Sequence, residues 1–461
     1  MIFGHSRDIV VLGLKRQGHR VNNCNFHTNS YFDYVNEQYI WVTAWRFVYS
    51  RDHFCNNLIR HNGALMSKLE SQKFDLAVVD GIFVMKCVYL IPHRLRIPWV
   101  TYCDVADPFI MRAPWLPSFV PHSTVSLTDR MNFFQRLKNT LQSAAFLIYS
   151  PFPDPPSQVL DKYRRYGSFR NLDDLMSRSQ LWLLTKDIVL DYSRPMMSNM
   201  INVGGLTVRR TNGQLPIDMK QFIEGAQLGT VLVTFGSTTS NLPATVVQKF
   251  ASAFRRLDGY RVIWRLNNKY NVELPNNVMI SQWLPQNDIL AHPSVKLFVT
   301  HCGNNGQFEA VYHGVPMIGF PVSAFADQVH NARRLDHKGY GMSMDLYHFT
   351  ADELLHNIRK ILEDESYKEH VMKASEIFRN QPQSPVEKAT FWIDHVCRYG
   401  GEHLRSAGND LPLYSYFMLD VLAFILIILF LVVYLLFKSA ILIINKCRVK
   451  QGVSIKSSKS D

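Results

Sequence analysis

The stretch WLPQNDILAHPSVKLFVTHCGNNGQFEAVYHGVPMIGFPVSAFADQ (283–328) constrains what this chain can fold into more than any other. Within it, KLFVT (296–300) is a short apolar run with β-branched residues, as a buried strand requires. HCGNNG (301–306) follows, and its two glycines and two asparagines tolerate tight turns and close backbone approach. QFEAVYHG (307–314) continues as a helix, with Phe308, Val311 and Tyr312 on one face and Gly314 at its end. VPMIGFP (315–321) is the next strand. A strand, a Gly-rich turn, a helix and a second strand make a parallel α/β unit whose turn opens on a helix N-terminus.

Such a turn is an anion site. Free backbone N–H groups and the positive helix end point at its occupant, and a diphosphate suits both. Gly303 and Gly306 let the backbone come close, while His301 and Asn305 can add donors. Glu309, one turn on, can accept bonds from a ribose diol. Trp283 offers a flat face for a base, with Gln286 beside it to read the base edge or the ribose. Asp327 and Gln328, past the next strand, can hold sugar hydroxyls. HCGNNG by itself fits an ordinary strand-to-helix turn equally well. The whole string does not.

The string resembles the nucleotide-sugar signature of the UDP-glycosyltransferase family, the membrane-bound animal glucuronosyl- and glucosyltransferases that conjugate small lipophilic compounds. WLPQNDIL, the HxGxNG turn, the glutamate after it, HGVP and the closing DQ carry the likeness. Asn304 departs from it, standing where the family usually has Thr or Ser, and PVSAFADQ is two residues longer than the usual loop before DQ. The resemblance implies a GT-B arrangement, two Rossmann-like α/β domains facing across a cleft, and a UDP-sugar as donor substrate with no permanently bound cofactor.

Composition narrows the class. A net charge of +12 invites a nucleic-acid reading, but no basic run is interleaved with aromatics. The basic cluster Lys446, Arg448 and Lys450 instead follows a hydrophobic segment, which points to membrane topology. Seven scattered cysteines with no CxxC give neither a disulfide framework nor a zinc site, and no Asp-x-Asp metal motif occurs.

Read in order, MIFGHSRDIVVLGLKRQGHRV (1–21) is the tail of a strand, a turn carrying His5, a helix ending at Gly18 and a further strand, with no signal peptide before it. Against the family pattern, the resemblance implies a start at the end of the first strand, as in a truncated gene model, a fragment or a diverged member, and a shortened segment after it. KFDLAVVDGIF (73–83) and IPWVTYCDV (97–105) are strands, and MKCVYLIPHRL between them is a helix interrupted at Pro92. LTDRMNFFQRLKNTLQSAAFLIY (127–149) is an amphipathic helix capped by Thr128, better suited to core packing than to a membrane face. GTVLVTFGS (229–237) is a strand into a turn where Ser237 can bond a phosphate; VVQKFASAFRRL is a helix and YRVIWRL a strand. DVLAFILIILFLVVYLLF (420–437), with YSYFML ahead of it, provides roughly 20 apolar positions, enough to cross about 30 Å of hydrocarbon.

These readings divide the chain into an acceptor-binding domain (1–202), a linker (203–228), a UDP-sugar domain (229–400), a juxtamembrane segment (401–417), a transmembrane helix (418–438) and a basic cytosolic tail (439–461). The body is then lumenal, in the endoplasmic reticulum by resemblance. The family's catalytic base is a histidine after the first strand, oriented by a later aspartate; His5 and Asp80 fall at the matching places. An imidazole near neutrality with a carboxylate on its far nitrogen suits deprotonation of a hydroxyl. The expected activity is inverting transfer of glucose or glucuronic acid from a UDP-sugar to a small lipophilic alcohol, without a metal. A membrane-anchored, UDP-sugar-binding pseudoenzyme or regulatory partner of active relatives is the alternative. The expected partners are the donor, the acceptor and the membrane, with no nucleic acid; a second copy of the chain stays open.

Overall fold

Eleven strands among the described residues build two sheets, and their order decides where a ligand can sit. The structure is a computed structural model describing residues 12–14, 63–72, 74–81, 83–104, 107–148, 157–211, 213–236, 242–266, 272–322 and 327–457. It divides into two compact units, Met1–Arg405 and Ser406–Asp461.

The first sheet runs β1 (Leu12–Leu14), β2 (Leu76–Asp80), β3 (Trp99–Cys103), β4 (Leu181–Leu184) and β5 (Met200–Asn202) in that spatial order. β2 to β5 are parallel and β1 pairs antiparallel with β2. β2 is apolar from Leu76 to Val79 because both faces are covered there, and it ends in Asp80. Ala77 and Val79 face one core with Trp182 and Leu184, while Leu76 and Val78 face another with Ala389, Ile393 and Val396. The last three belong to the helix Pro385–Tyr399, so this late helix covers the first sheet.

The second sheet contains β6 (Gly229–Thr234), β7 (Tyr260–Arg265), β8 (Val278–Ser281), β9 (Val295–Thr300), β10 (Met317–Gly319) and β11 (Gly341–Ser343). All pairs are parallel, and the spatial order is β11-β10-β9-β6-β7-β8. From β6 the chain winds one way through β7 and β8, then returns to β9 and winds the other way. The reversal lies between β6 and β9, and in such sheets the crevice beyond the carboxyl ends at that point receives ligands.

Several local expectations are corrected. Residues 12–14, expected in a helix, form a strand: they continue an apolar, β-branched run, and Gly13 disfavours a helix. The expected break at Pro92 does not occur. A 3-10 turn (Phe83–Tyr89) gives way to α-helix at Leu90, which leaves Pro92 in the first helical turn, where its missing N–H costs no hydrogen bond. The basic helix starts at Phe133 instead of next to Thr128, capped by Asn132, whose side chain accepts from Gln135 N at 3.0 Å. Its orientation is also reversed. Asn139 and Ser143 point inward, Asn139 bonding the carbonyls of Pro117 and Val120, while Phe133, Phe134, Leu137 and Leu141 face out. Cys87 is disulfide-bonded, a pairing that the cysteine spacing did not reveal. The segment read as a linker contains the helix Ile217–Glu224, with Met219 and Ile223 buried.

In the second unit, the helix Leu419–Ser457 contains an apolar stretch, Leu419–Lys446, of 28 residues and mean hydropathy 3.1 over its best window. None of that window is buried by protein, which makes the stretch a candidate membrane span.

Candidate active site

β9 delivers the chain to Thr300, at the reversal point, and the turn His301–Gly303 leads into the helix Asn304–Tyr312. Cys302 takes the left-handed conformation (φ 64°), which a side chain larger than glycine rarely adopts; such strain concentrates at functional sites. Burial raises its thiol well above the usual range, so it stays protonated and is no nucleophile. No side chain caps the helix at Gly303, so its first N–H groups have no acceptor from a capping side chain.

His301 is gripped by glycines. A methyl group on Gly236, beyond β6, would lie 2.5 Å from the ring, and one on Gly303 would lie 2.4 Å from its Nε2. Only glycine on both sides lets the imidazole lie flat between the two turns. Burial, with the nearby Arg265 charge, lowers its pKa to about 4, so the ring is neutral in the physiological range. Its Nδ1 is buried without a hydrogen-bond partner. Arg265, at the end of β7, donates to the Gly236 carbonyl and to Gln282 O at 3.0 Å. This cation beside the anion turn was missed in the sequence, where its only signal was its place at the end of a strand.

Around the turn, Gln286 Nε2 donates to Glu309 Oε2 at 2.6 Å, and burial pushes the Glu309 carboxyl up to about 7. Trp283 is 61% exposed. Asn305 is exposed in the first turn of the helix, and Gly306 packs on Phe298 and Gln286. Asp327 accepts from Asn331 Nδ2 at 2.6 Å, and Asn331 also donates to Cys302 O at 3.0 Å. Gln328 Oε1 accepts from Val322 N at 2.8 Å. Of the expected donor-site residues, Gln286 and Glu309 bond each other beside the turn and Asp327 is joined to it through Asn331, whereas Ser237 lies outside the described residues, as does His5.

Asn304 does not face the crevice. It is buried, donating to Thr185 O at 2.8 Å and Thr185 Oγ1 at 3.1 Å, and it accepts from Arg334. Thr185 follows β4, so the donor turn is bonded to the carboxyl edge of the first sheet. At that edge Asp80 is half-buried at the end of β2; burial, and then Asp104, raise its carboxyl to about 7. Among the described residues no group of three or more His, Cys, Asp or Glu is placed to hold a metal ion.

Two largely parallel α/β sheets, bonded to each other where the turn after β9 meets the end of β4, have the architecture of a GT-B glycosyltransferase. Solved structures share the architecture: the glycosyltransferase of kitacinnamycin (TM-score 0.53, 16% identity, 79% of this chain and 84% of that one) and the calicheamicin glycosyltransferase CalG4 (0.52, 16%, 81% and 85%). At these identities they speak for the fold alone. The family model described as "UDP-glucoronosyl and UDP-glucosyl transferase" matches residues 14–453, and the chain belongs to that family. It is 34% identical over 417 residues to UDP-glucuronosyltransferase 1A1 of Rattus norvegicus, covering 88% of this chain and 76% of the relative. The human UDP-glucuronosyltransferase 1A1 is 33% identical, with the same coverage. The 2-hydroxyacylsphingosine 1-beta-galactosyltransferase of Rattus norvegicus is 35% identical over 398 residues, covering 84% and 71%. The chain is a glycosyltransferase enzyme, and its family transfers sugars from UDP-sugar donors.

Proposed function

We propose that this chain transfers a hexose, glucose or glucuronic acid, from its UDP conjugate to a hydroxyl of a small lipophilic acceptor, with inversion at C1. The uncapped, glycine-lined turn at the β6/β9 reversal, with neutral His301 and cationic Arg265 beside it, supports this reading most directly. The turn's N–H groups and His301 bind the diphosphate, Trp283 stacks on uracil, and Gln286 and Glu309 take the ribose. Asn305 helps hold the phosphates, and Ser237 bonds them from beyond β6. Asp327 and Gln328 orient the sugar.

In the step itself, His5 removes the acceptor hydroxyl proton while that oxygen attacks C1 from the face opposite UDP. The C1–O bond breaks, its electron pair leaves on the diphosphate, and the growing negative charge meets the turn and Arg265. Asp80 orients His5 and stabilises the imidazolium. The apolar helix anchors the chain in the endoplasmic reticulum membrane, with the body lumenal and the basic tail cytosolic.

The test is UDP release from membranes carrying the full chain, supplied with UDP-glucose, UDP-glucuronic acid or UDP-galactose and a panel of phenols. Turnover with one of the first two donors, lost in His5→Ala and Asp80→Asn, supports the assignment. Turnover that survives both substitutions moves the base elsewhere, and preference for UDP-galactose overturns the donor reading.

A further inference from the structure

The contacts that join the two halves converge on a residue that the reaction scheme does not use. Asp80 pairs with Tyr102 across the parallel β2/β3 register. Side chains two apart on a strand share a face, so Asp104, leaving β3 just past Cys103, continues the side of Tyr102 and faces Asp80 at the same sheet edge. Asp104 is open to solvent at the edge yet hemmed in from both halves. The Thr185 hydroxyl donates to its Oδ1, Asn304 bonds it from the donor turn, and Lys186 and Asp327 face it. Asn304 in turn bonds Thr185 and is held by Arg334. A continuous chain of side chains therefore runs from the donor helix to the acceptor-side carboxylate.

We propose that Asp104 is a positioning residue for sugar transfer, its carboxylate held by Thr185 and Asn304 at the sheet edge beside Asp80. The proposal rests on the role given to Asp80 above. The groups facing Asp80 are Tyr89, Tyr102 and Asp104; those facing Asp104 are Tyr102, Lys186 and Asp327. Burial and then Asp104 raise Asp80, so a neutral side chain at 104 removes the like charge and lets Asp80 ionise at lower pH.

The experiment compares wild type, Asp104→Asn and Asp104→Glu as full-length chains in membranes, reading kcat/KM for transfer to a phenol from pH 5 to 9. Asparagine keeps an acceptor for the Thr185 hydroxyl, and UDP binding by calorimetry reports whether each variant is folded. The proposal expects the acidic limb of the profile to move down by about one pH unit in Asp104→Asn, the size of an ordinary like-charge shift, and to return toward wild type in Asp104→Glu. An unmoved limb in a variant that binds UDP normally overturns it, as does a shift that Asp104→Glu reproduces. Should Asp104→Asn fail to bind UDP, the Asp104→Glu profile decides alone: a limb kept at the wild-type position supports the proposal and a displaced one overturns it. Asp80→Asn is run in parallel: full turnover there refutes the role of Asp80 itself, an outcome distinct from an unmoved limb.

Discussion

Arg334 Nη1 meets Asp191 Oδ1 at 2.9 Å, with the two residues 143 positions apart in the chain and neither side chain open to solvent. Arg334 also donates to Gln307 Oε1 and to Asn304, and Lys186 approaches Asp191 at 3.2 Å. Burial alone would raise the Asp191 carboxyl; Lys186 and Arg334 outweigh it and hold the group well below the usual carboxylate range. Arg334→Met leaves a buried carboxylate without one of its two closest cations. A broken buried pair costs about 3–5 kcal/mol, so the thermal midpoint in detergent should fall by several degrees. The double variant Arg334→Met/Asp191→Leu should recover part of that loss, whereas two additive losses would show that the pair is not coupled.

In the proposed site, Glu309 should make donor binding sensitive to pH. Its raised pKa, about 7, means the free protein holds a largely neutral carboxyl below neutrality and a carboxylate above it. A ribose diol donates better to the carboxylate, so UDP affinity should strengthen as pH rises from 6 to 8, by at most about tenfold per pH unit. Calorimetric titration of wild type against Glu309→Gln isolates this effect, because titration of UDP itself is common to both. Parallel curves for the two proteins would remove Glu309 from the site.

Trp283→Ala separates binding from folding. Its side chain is mostly in water, so the thermal midpoint should hold. Losing a stacked base contact should weaken UDP by about 1–3 kcal/mol. A fall in the midpoint without a change in affinity would make Trp283 a packing residue.

The repeat periods of the second sheet were readable in advance. KLFVT and VPMIGFP are short apolar runs, QFEAVYHG has helical spacing, and the glycines between them leave few alternatives; the structure has β9, β10 and the helix Asn304–Tyr312 there. Long-range pairs left no such trace. Nothing around Asn304, Arg334 or Asp191 signals that they meet, because those contacts depend on how two sheets approach and not on local spacing. The helix Phe133–Ile148 shows the opposite failure: its amphipathic pattern was evident, but the pattern does not say which face turns inward. Three inward carbonyl and amide bonds of Asn139 settle that.

Gly303→Ala tests the grip on His301. The backbone at 303 has φ −64°, which alanine tolerates, so the fold should survive. The new methyl group would meet the ring and force it to turn. UDP affinity should fall by at least tenfold with a thermal midpoint near wild type; unchanged affinity would mean that the ring orientation is irrelevant to the donor.

The outward ridge of the helix Phe133–Ile148 bears on how the protein can be handled. Phe133 and Phe134 are 63% and 77% exposed, and Leu137 and Leu141 extend the same strip. A chain cut ahead of Leu413 loses the apolar helix Leu419–Ser457 but keeps this strip, and contiguous apolar surface in water drives association. Such a shortened product needs detergent to stay monodisperse, and replacing Phe134 and Leu141 by serine should lift that requirement.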